Sequence, residues 1–240
     1  MVEMKYNQIQ SPDRFDLEPL ELFEYFSYKL LSDSEMDINS LVKELKEGFN
    51  AKQNFQINFH THEDKTSFYN CSEKLFNLLL DLKLSQDTTS LVVSSFLEVV
   101  DNAFTHNLGK WPTKYYKRVA SLFLNDLKKK TFTIAVADLG VGFKETLKLK
   151  HPEIQSEIEA VELAIQANTS SRPVDYKGQR MGGNGLYFLQ KNIFNGLAGK
   201  LFIRSCGDFC EILSANQVQQ LANSLPYTYG TNIFFELSYA

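Results

Sequence analysis

Three cysteines in 240 residues, none of them spaced Cys-x-x-Cys, are too few and too scattered for a disulfide framework or a zinc site. Cys206 and Cys210 flank Gly207-Asp208 in an expected hairpin, where a plain strand role suffices. The four histidines (His60, His62, His106, His151) form no metal pattern, and His60-x-His62 falls at an expected strand end. No window approaches the ~20 apolar residues that span a bilayer. Met1-Val2-Glu3-Met4-Lys5 does not open a secretory leader, so the expectation is a cytoplasmic protein without membrane insertion. The net charge of −4 lacks the basic excess on which non-specific nucleic-acid binding runs. The one basic run, Lys128-Lys129-Lys130, reads as a solvated turn before a strand. Internal repeats and low-complexity segments are missing too.

What remains is a composition of 43% hydrophobic and 22% charged residues, with nineteen Phe and eleven Tyr to fill a core. The most informative stretch is Ser95-Phe96-Leu97-Glu98-Val99-Val100-Asp101-Asn102-Ala103-Phe104-Thr105-His106. As a helix it is apolar in most directions, through Val92, Val93, Phe96, Leu97, Val99, Val100, Ala103 and Phe104, and such a helix is normally buried. Ser95, Glu98, Asn102 and His106 nevertheless recur at three- and four-residue steps and share one narrow face. Burying a carboxylate, an amide and an imidazole without partners is costly. The stripe is therefore expected to line a polar cavity rather than the core.

In chain order, two amphipathic helices are expected before residue 50: one through about Leu31 carrying Leu17, Leu20, Phe23, Phe26 and Leu30, and one from Asn39 to Gly48. They make an N-terminal helical extension of unassigned role. Phe55, Ile57 and Phe59 alternate with polar residues as in a half-buried strand. Ser72 to Leu84 reads as a helix, Ser85 to Thr88 as its break and the next cap, and Thr89 to His106 as the polar-striped helix. Strands follow at Val119–Asn125 and Thr131–Asp138. A long polar connection carries one helix, Ser156 to Ala167. A helix opened by Gly182-Gly183-Asn184-Gly185 runs to about Asn195, and strands at Lys200–Ser205, Phe209–Leu213 and Asn232–Leu237 close the chain.

A nucleoside triphosphate site needs a carboxylate for the adenine amine, and glycines where backbone must approach the ligand. It needs a hard oxygen ligand for Mg²⁺ and backbone N–H groups for phosphate. Glu98 with Asn102, Asp138-x-Gly140-x-Gly142 and Gly182-Gly183-Asn184-Gly185 supply these. A GxxxxGK[ST] run and a GxGxxG dinucleotide fingerprint are both missing, which excludes a P-loop and a Rossmann site. These residues resemble the three boxes of the GHKL ATPases, the family of gyrase, one class of heat-shock chaperone, histidine kinases and MutL. Glu98-Val99-Val100-Asp101-Asn102-Ala103 looks like the N box, close to the form in type II topoisomerases and, with His106, to that of anti-sigma serine kinases. Asp138-Leu139-Gly140-Val141-Gly142 resembles the G1 box and Gly183-Asn184-Gly185-Leu186 the G2 box. They come in family order, with 36 residues from Asn102 to Asp138 and 47 from Asp138 to Gly185.

The resemblance covers about residues 70–240 and implies an α+β fold, a two-layer sandwich of the Bergerat type with a mixed, mostly antiparallel sheet covered on one face by helices. It implies a nucleotide domain over 51–240 with a lid at about 143–181. Asn102 would ligate Mg²⁺, Asp138 would bind the adenine amine, and Gly140 and Gly142 would shape the base pocket. Gly182, Gly183, Asn184, Gly185 and Leu186 would form the phosphate turn, and Lys177 and Arg180, with Arg172 also in reach, would contact phosphate from the lid. Glu98 would be the general base, which tilts the chain towards ATP hydrolysis or serine/threonine phosphorylation. No phospho-accepting His motif precedes the boxes, so a self-contained sensor kinase is not expected. The implied protein is a nearly stand-alone Mg-ATP-dependent enzyme in signalling, acting through a protein partner or a homodimer. The alternatives are an ATP-dependent switch without chemistry, a catalytic domain serving a separate histidine-phosphotransfer protein, and a degenerate pseudo-ATPase.

Overall fold

A computed structural model of the chain describes residues 43, 55–62, 65–106, 119–138, 140–167, 169, 185–214, 216–221 and 230–239. Of the helices expected before residue 50, only Lys43, which is helical, is among the described residues, and the rest lies outside them. One seven-stranded sheet spans the rest, formed by β1 (Phe55–His62), β2 (Val119–Asp126), β3 (Thr131–Asp138), β4 (Lys200–Ser205), β5 (Asp208–Ser214), β6 (Gln217–Gln220) and β7 (Thr231–Ser238). Its order is β1-β2-β3-β7-β4-β5-β6. Among the described residues every pairing is antiparallel, where a mixed sheet was expected.

The helices are α1 (Lys65–Asp81), α2 (Gln86–His106), α3 (Gly142–Leu147), α4 (Glu157–Ala164) and α5 (Gly185–Lys191), and α5 runs on into a π-helical turn, Asn192–Gly196. Residues Phe68, Cys71, Leu75 and Leu79 recur at three- and four-residue spacing and are buried, so α1 begins seven residues before the expected Ser72. Lys83, in a left-handed conformation (φ 60°), turns the chain out of it. Ser85 caps α2 as expected, its Oγ accepting the Thr88 N–H at 3.1 Å. At the β2–β3 hairpin Asp126 Oδ1 accepts the N–H groups of Lys128 and Lys129, both at 2.9 Å, and the lysines are exposed. They form the solvated turn read from the sequence.

The helices cover one sheet face: α1 packs on β1, α2 on β2 and β3, and α4 on β4, β5 and β6. Val92, Phe96, Val99, Val100 and Ala103 of α2 meet Phe123, Phe132, Ile134 and Val136 of the sheet in one continuous core. Phe96 and Phe123 sit edge to face with centroids 5.3 Å apart. The architecture is thus α+β in two layers. On the opposite face Leu122, Leu124, Ala135, Phe202 and Phe234 are buried as well. The stretch read as a lid begins as core, for Leu147, Ile154, Ala160, Val161 and Ile165 all belong to the same cluster. There α4 starts in a capping box, Ser156 and Glu159 each accepting the other's backbone N–H. Among the described residues, no helix is long and apolar enough to cross a membrane.

All three cysteines are free and buried. Burial raises the thiols of Cys71 and Cys210 to about 11, so both stay protonated packing groups at neutral pH. Cys210 is a strand residue as expected, whereas Cys206 occupies the hairpin turn with φ 54°.

His60 of β1 lies against Phe123, and burial, reinforced by the Lys74 charge, lowers its pKa from the ordinary 6.5. The folded state therefore prefers the neutral ring. The stability tied to it is complete above 6.5 and is lost as the pH falls through the lower folded-state value. Thermal melts between pH 8 and pH 5 should show a fall in Tm on acidification that is smaller in His60→Gln. Equal slopes in parent and variant would remove His60 from the acid response.

Candidate functional site

The polar stripe of α2 lies against α5 and its π-helical extension. Ser95 is only 1% exposed. Its Oγ donates to the Leu91 carbonyl at 2.8 Å and accepts from Asn192 Nδ2 at 3.2 Å. Here the stripe makes a helix–helix contact, not a cavity wall, because Asn192 supplies the partner that burial demands. Further along, Glu98 and Asn102 are both half-buried. Gly185, the first residue of α5, sits directly on them. A Cβ at Gly185 would run into Glu98 Oε1, would lie 2.7 Å from Glu98 Cδ, and would approach Asn102 Nδ2 to 2.9 Å. The side chain of His106 lies outside the described ones.

A second group gathers at the end of β3. Asp138 is 5% exposed, and its Oδ1 accepts two backbone N–H groups, from Gly140 at 2.7 Å and from Thr231 at 3.2 Å. Two such bonds hold the carboxylate in one orientation. Gly142 has φ +81°, and a Cβ there would lie 2.6 Å from Cys206 Sγ and 2.9 Å from Ser205 Oγ. The position admits only glycine on both counts. Behind it, Ser205 Oγ accepts from the Phe143 N–H at 3.0 Å and donates to Glu157 Oε2 at 2.6 Å. Glu157 Oε2 also accepts the Lys144 N–H at 3.1 Å. The start of α3 is thereby tied to β4 and α4, and its first N–H groups are already spoken for.

Strand parity relates the two groups. Asp138 falls on the face shared by Ile134 and Val136, the face on which α2 packs. Thr231 shares its face with Ile233 and Phe235, and Ser205 with Leu201 and Ile203, so both also point to the helical layer. Leu186, next to Gly185, is buried in that same layer. The sequence-derived residues Glu98, Asn102 and Gly185 are thus in mutual contact. Asp138, Gly140 and Gly142 form one hydrogen-bonded turn on the same side of the sheet. Lys177, Arg180, Gly182, Gly183 and Asn184, with Arg172, lie outside the described residues.

Sequence reasoning missed Thr231, Ser205, Glu157 and Asn192. Thr231 and Ser205 reach the site only because β7 inserts between β3 and β4, which no local pattern announces. Glu157 reads in sequence as an ordinary first-turn acid of α4. Among the described residues, no group of three or more His, Cys, Asp or Glu could hold a metal ion. The donor set suits a hard cation that takes one amide oxygen and completes its shell with phosphate and water. No protein-family profile matches the chain, and no curated protein matches it in sequence.

Proposed function

We propose that this chain binds Mg-ATP as a GHKL-type protein with a Bergerat-type fold, and works as an ATPase or serine/threonine kinase in signalling with a protein partner. The observation that carries this reading is the contact of Glu98 and Asn102 with Gly185. It joins an acid, an amide and a side-chain-free backbone, which are the groups a phosphate-and-metal site requires. The buried Asp138 carboxylate, held by two N–H groups on the same side of the sheet, suits recognition of an exocyclic amine.

In this reading Asp138 accepts the adenine amine, and Gly142, whose missing side chain leaves room for Cys206 and Ser205, shapes the turn beside it. The backbone from Gly182 through Asn184 to Gly185 would donate to phosphate, and the Asn102 side-chain oxygen would hold Mg²⁺. When bound, Mg²⁺ neutralises charge on the phosphate oxygens. Glu98 would orient a water or a Ser/Thr hydroxyl and take its proton as that oxygen bonds to the γ-phosphorus, while the bond to the β–γ bridging oxygen breaks and ADP leaves. Lys177 and Arg180, or Arg172, supply cations from the stretch read as a lid, whose first part through Ile165 is packed into the core.

Calorimetric titration with ATP, with and without Mg²⁺, followed by a phosphate-release assay, tests the proposal. Heat on binding that increases with Mg²⁺ supports it, and a protein that binds no ATP in either condition sinks it. Binding without phosphate release, alone or with a partner, would instead favour a switch without chemistry.

Asp138→Asn separates the pocket from the fold. Asparagine keeps a carbonyl oxygen for the Gly140 and Thr231 N–H groups, so the turn persists. What is lost is a charge-assisted bond worth about 1.5–3 kcal/mol, or about ten- to a hundredfold in ATP affinity. Unchanged affinity in a well-folded variant would contradict the pocket assignment.

A further inference from the structure

The contact between α2 and the α5–π segment has a regular register. Leu91 meets Gly196, Ser95 meets Asn192, and Asn102 meets Gly185. Four residues separate Leu91 from Ser95 and Gly196 from Asn192, and seven separate Ser95 from Asn102 and Asn192 from Gly185. Equal steps forward on one helix and backward on the other mark an antiparallel pair in fixed alignment.

Each end of the pair is a glycine pressed on a larger side chain. A Cβ at Gly196 would run into Leu91, as one at Gly185 would run into Glu98. Such end contacts limit how closely the helices approach, but apolar burial is not directional. The directional element is the buried bond in the middle. Ser95 Oγ uses both of its capacities, donating to Leu91 O and accepting from Asn192 Nδ2. Asn192 also opens the π-helical turn, its carbonyl accepting the Leu197 N–H five residues on at 3.0 Å. That wider turn brings Gly196 round to Leu91.

We infer that Ser95 and Asn192 are positioning residues: their hydrogen bond pins the register of α5 on α2 and so holds Gly185 against Glu98 and Asn102. The functional part of the inference rests on the Mg-ATP reading above. Without the bond, α5 shifts along α2 and the loss appears seven residues away, at the metal-binding amide. Because the shift carries Gly185, and with it the phosphate it holds, away from Asn102, Mg²⁺-dependent binding, which needs both, falls more than binding of ATP alone.

The test titrates the full chain with ATP, with and without Mg²⁺, in the parent, Ser95→Ala, Ser95→Thr and Asn192→Ala. Ser95→Ala and Asn192→Ala are expected to lose about ten- to a hundredfold in Mg-ATP affinity, as a misplacement of about 1 Å can cost. Their affinity for metal-free ATP stays close to that of the parent. Ser95→Thr, which keeps the hydroxyl, restores the difference. Folded alanine variants with parental Mg-ATP affinity overturn the inference, and so do equal losses with and without metal. Thermal melts of the two single alanine variants and their double variant provide an arm that needs no nucleotide. Non-additive losses support the pin and additive ones overturn it. A parent that binds no ATP therefore sinks the proposed function while the register is still decided by the melts.

Discussion

Glu98→Gln is expected to bind Mg-ATP with nearly parental affinity and to release phosphate about 10²–10⁴-fold more slowly, the usual worth of a positioned general base. Glutamine is chosen because Gly185 sits on this side chain. The amide fills the same volume, keeps the helix pair in contact and removes only the basic oxygen. A smaller residue would open a gap under Gly185 and mix packing with chemistry. Titration calorimetry and phosphate release, performed on the same preparation, separate the two. A Gln variant that turns over as fast as the parent would remove Glu98 from the chemistry. One that loses binding and turnover together would make it a binding group instead.

The second large effect belongs to Gly185→Ala. In most helices this exchange stabilises, since alanine is favoured over glycine by about 1 kcal/mol in a helix interior, and Gly185 has no positive φ to defend. Here the new methyl would occupy the space of the Glu98 carboxylate and lie 2.9 Å from Asn102 Nδ2. Both are ends of flexible, half-buried side chains that can swing aside at little cost to folding. They cannot do so and also keep the geometry of a base and a metal ligand. The expected result is a Tm within a few degrees of the parent, together with losses in Mg-ATP affinity and in turnover of at least about a hundredfold. Parental turnover in Gly185→Ala would show that the contact with Glu98 carries no function.

The parts legible in the sequence are those governed by local periodicity. The apolar directions of α2, the β2–β3 hairpin with its lysine turn, and α4 with its polar start all follow from residues within a dozen positions of one another. Strand direction was not legible, because β3, β4 and β7 are apolar runs that pair equally well either way until their neighbours are known. The six residues of α3 are too few to show a helical period, and Gln217–Gln220 shows no alternation to mark β6. The polar stripe announced that Ser95, Glu98 and Asn102 share a face. It could not announce that Asn192 would claim Ser95 while Gly185 meets Glu98 and Asn102. That depended on a π-helical turn, whose single extra residue leaves no mark in composition.

The place of β7 has a consequence for how the protein comes into being. It follows every other strand in the chain yet occupies the middle of the sheet, between β3 and β4. In a nascent polypeptide emerging amino end first, β3 and β4 therefore lack their shared neighbour until Thr231–Ser238 arrives. The backbone N–H that Thr231 offers to Asp138 arrives with the same segment. Closure of the core and completion of the aspartate turn are a single late event, so a half-made chain has neither.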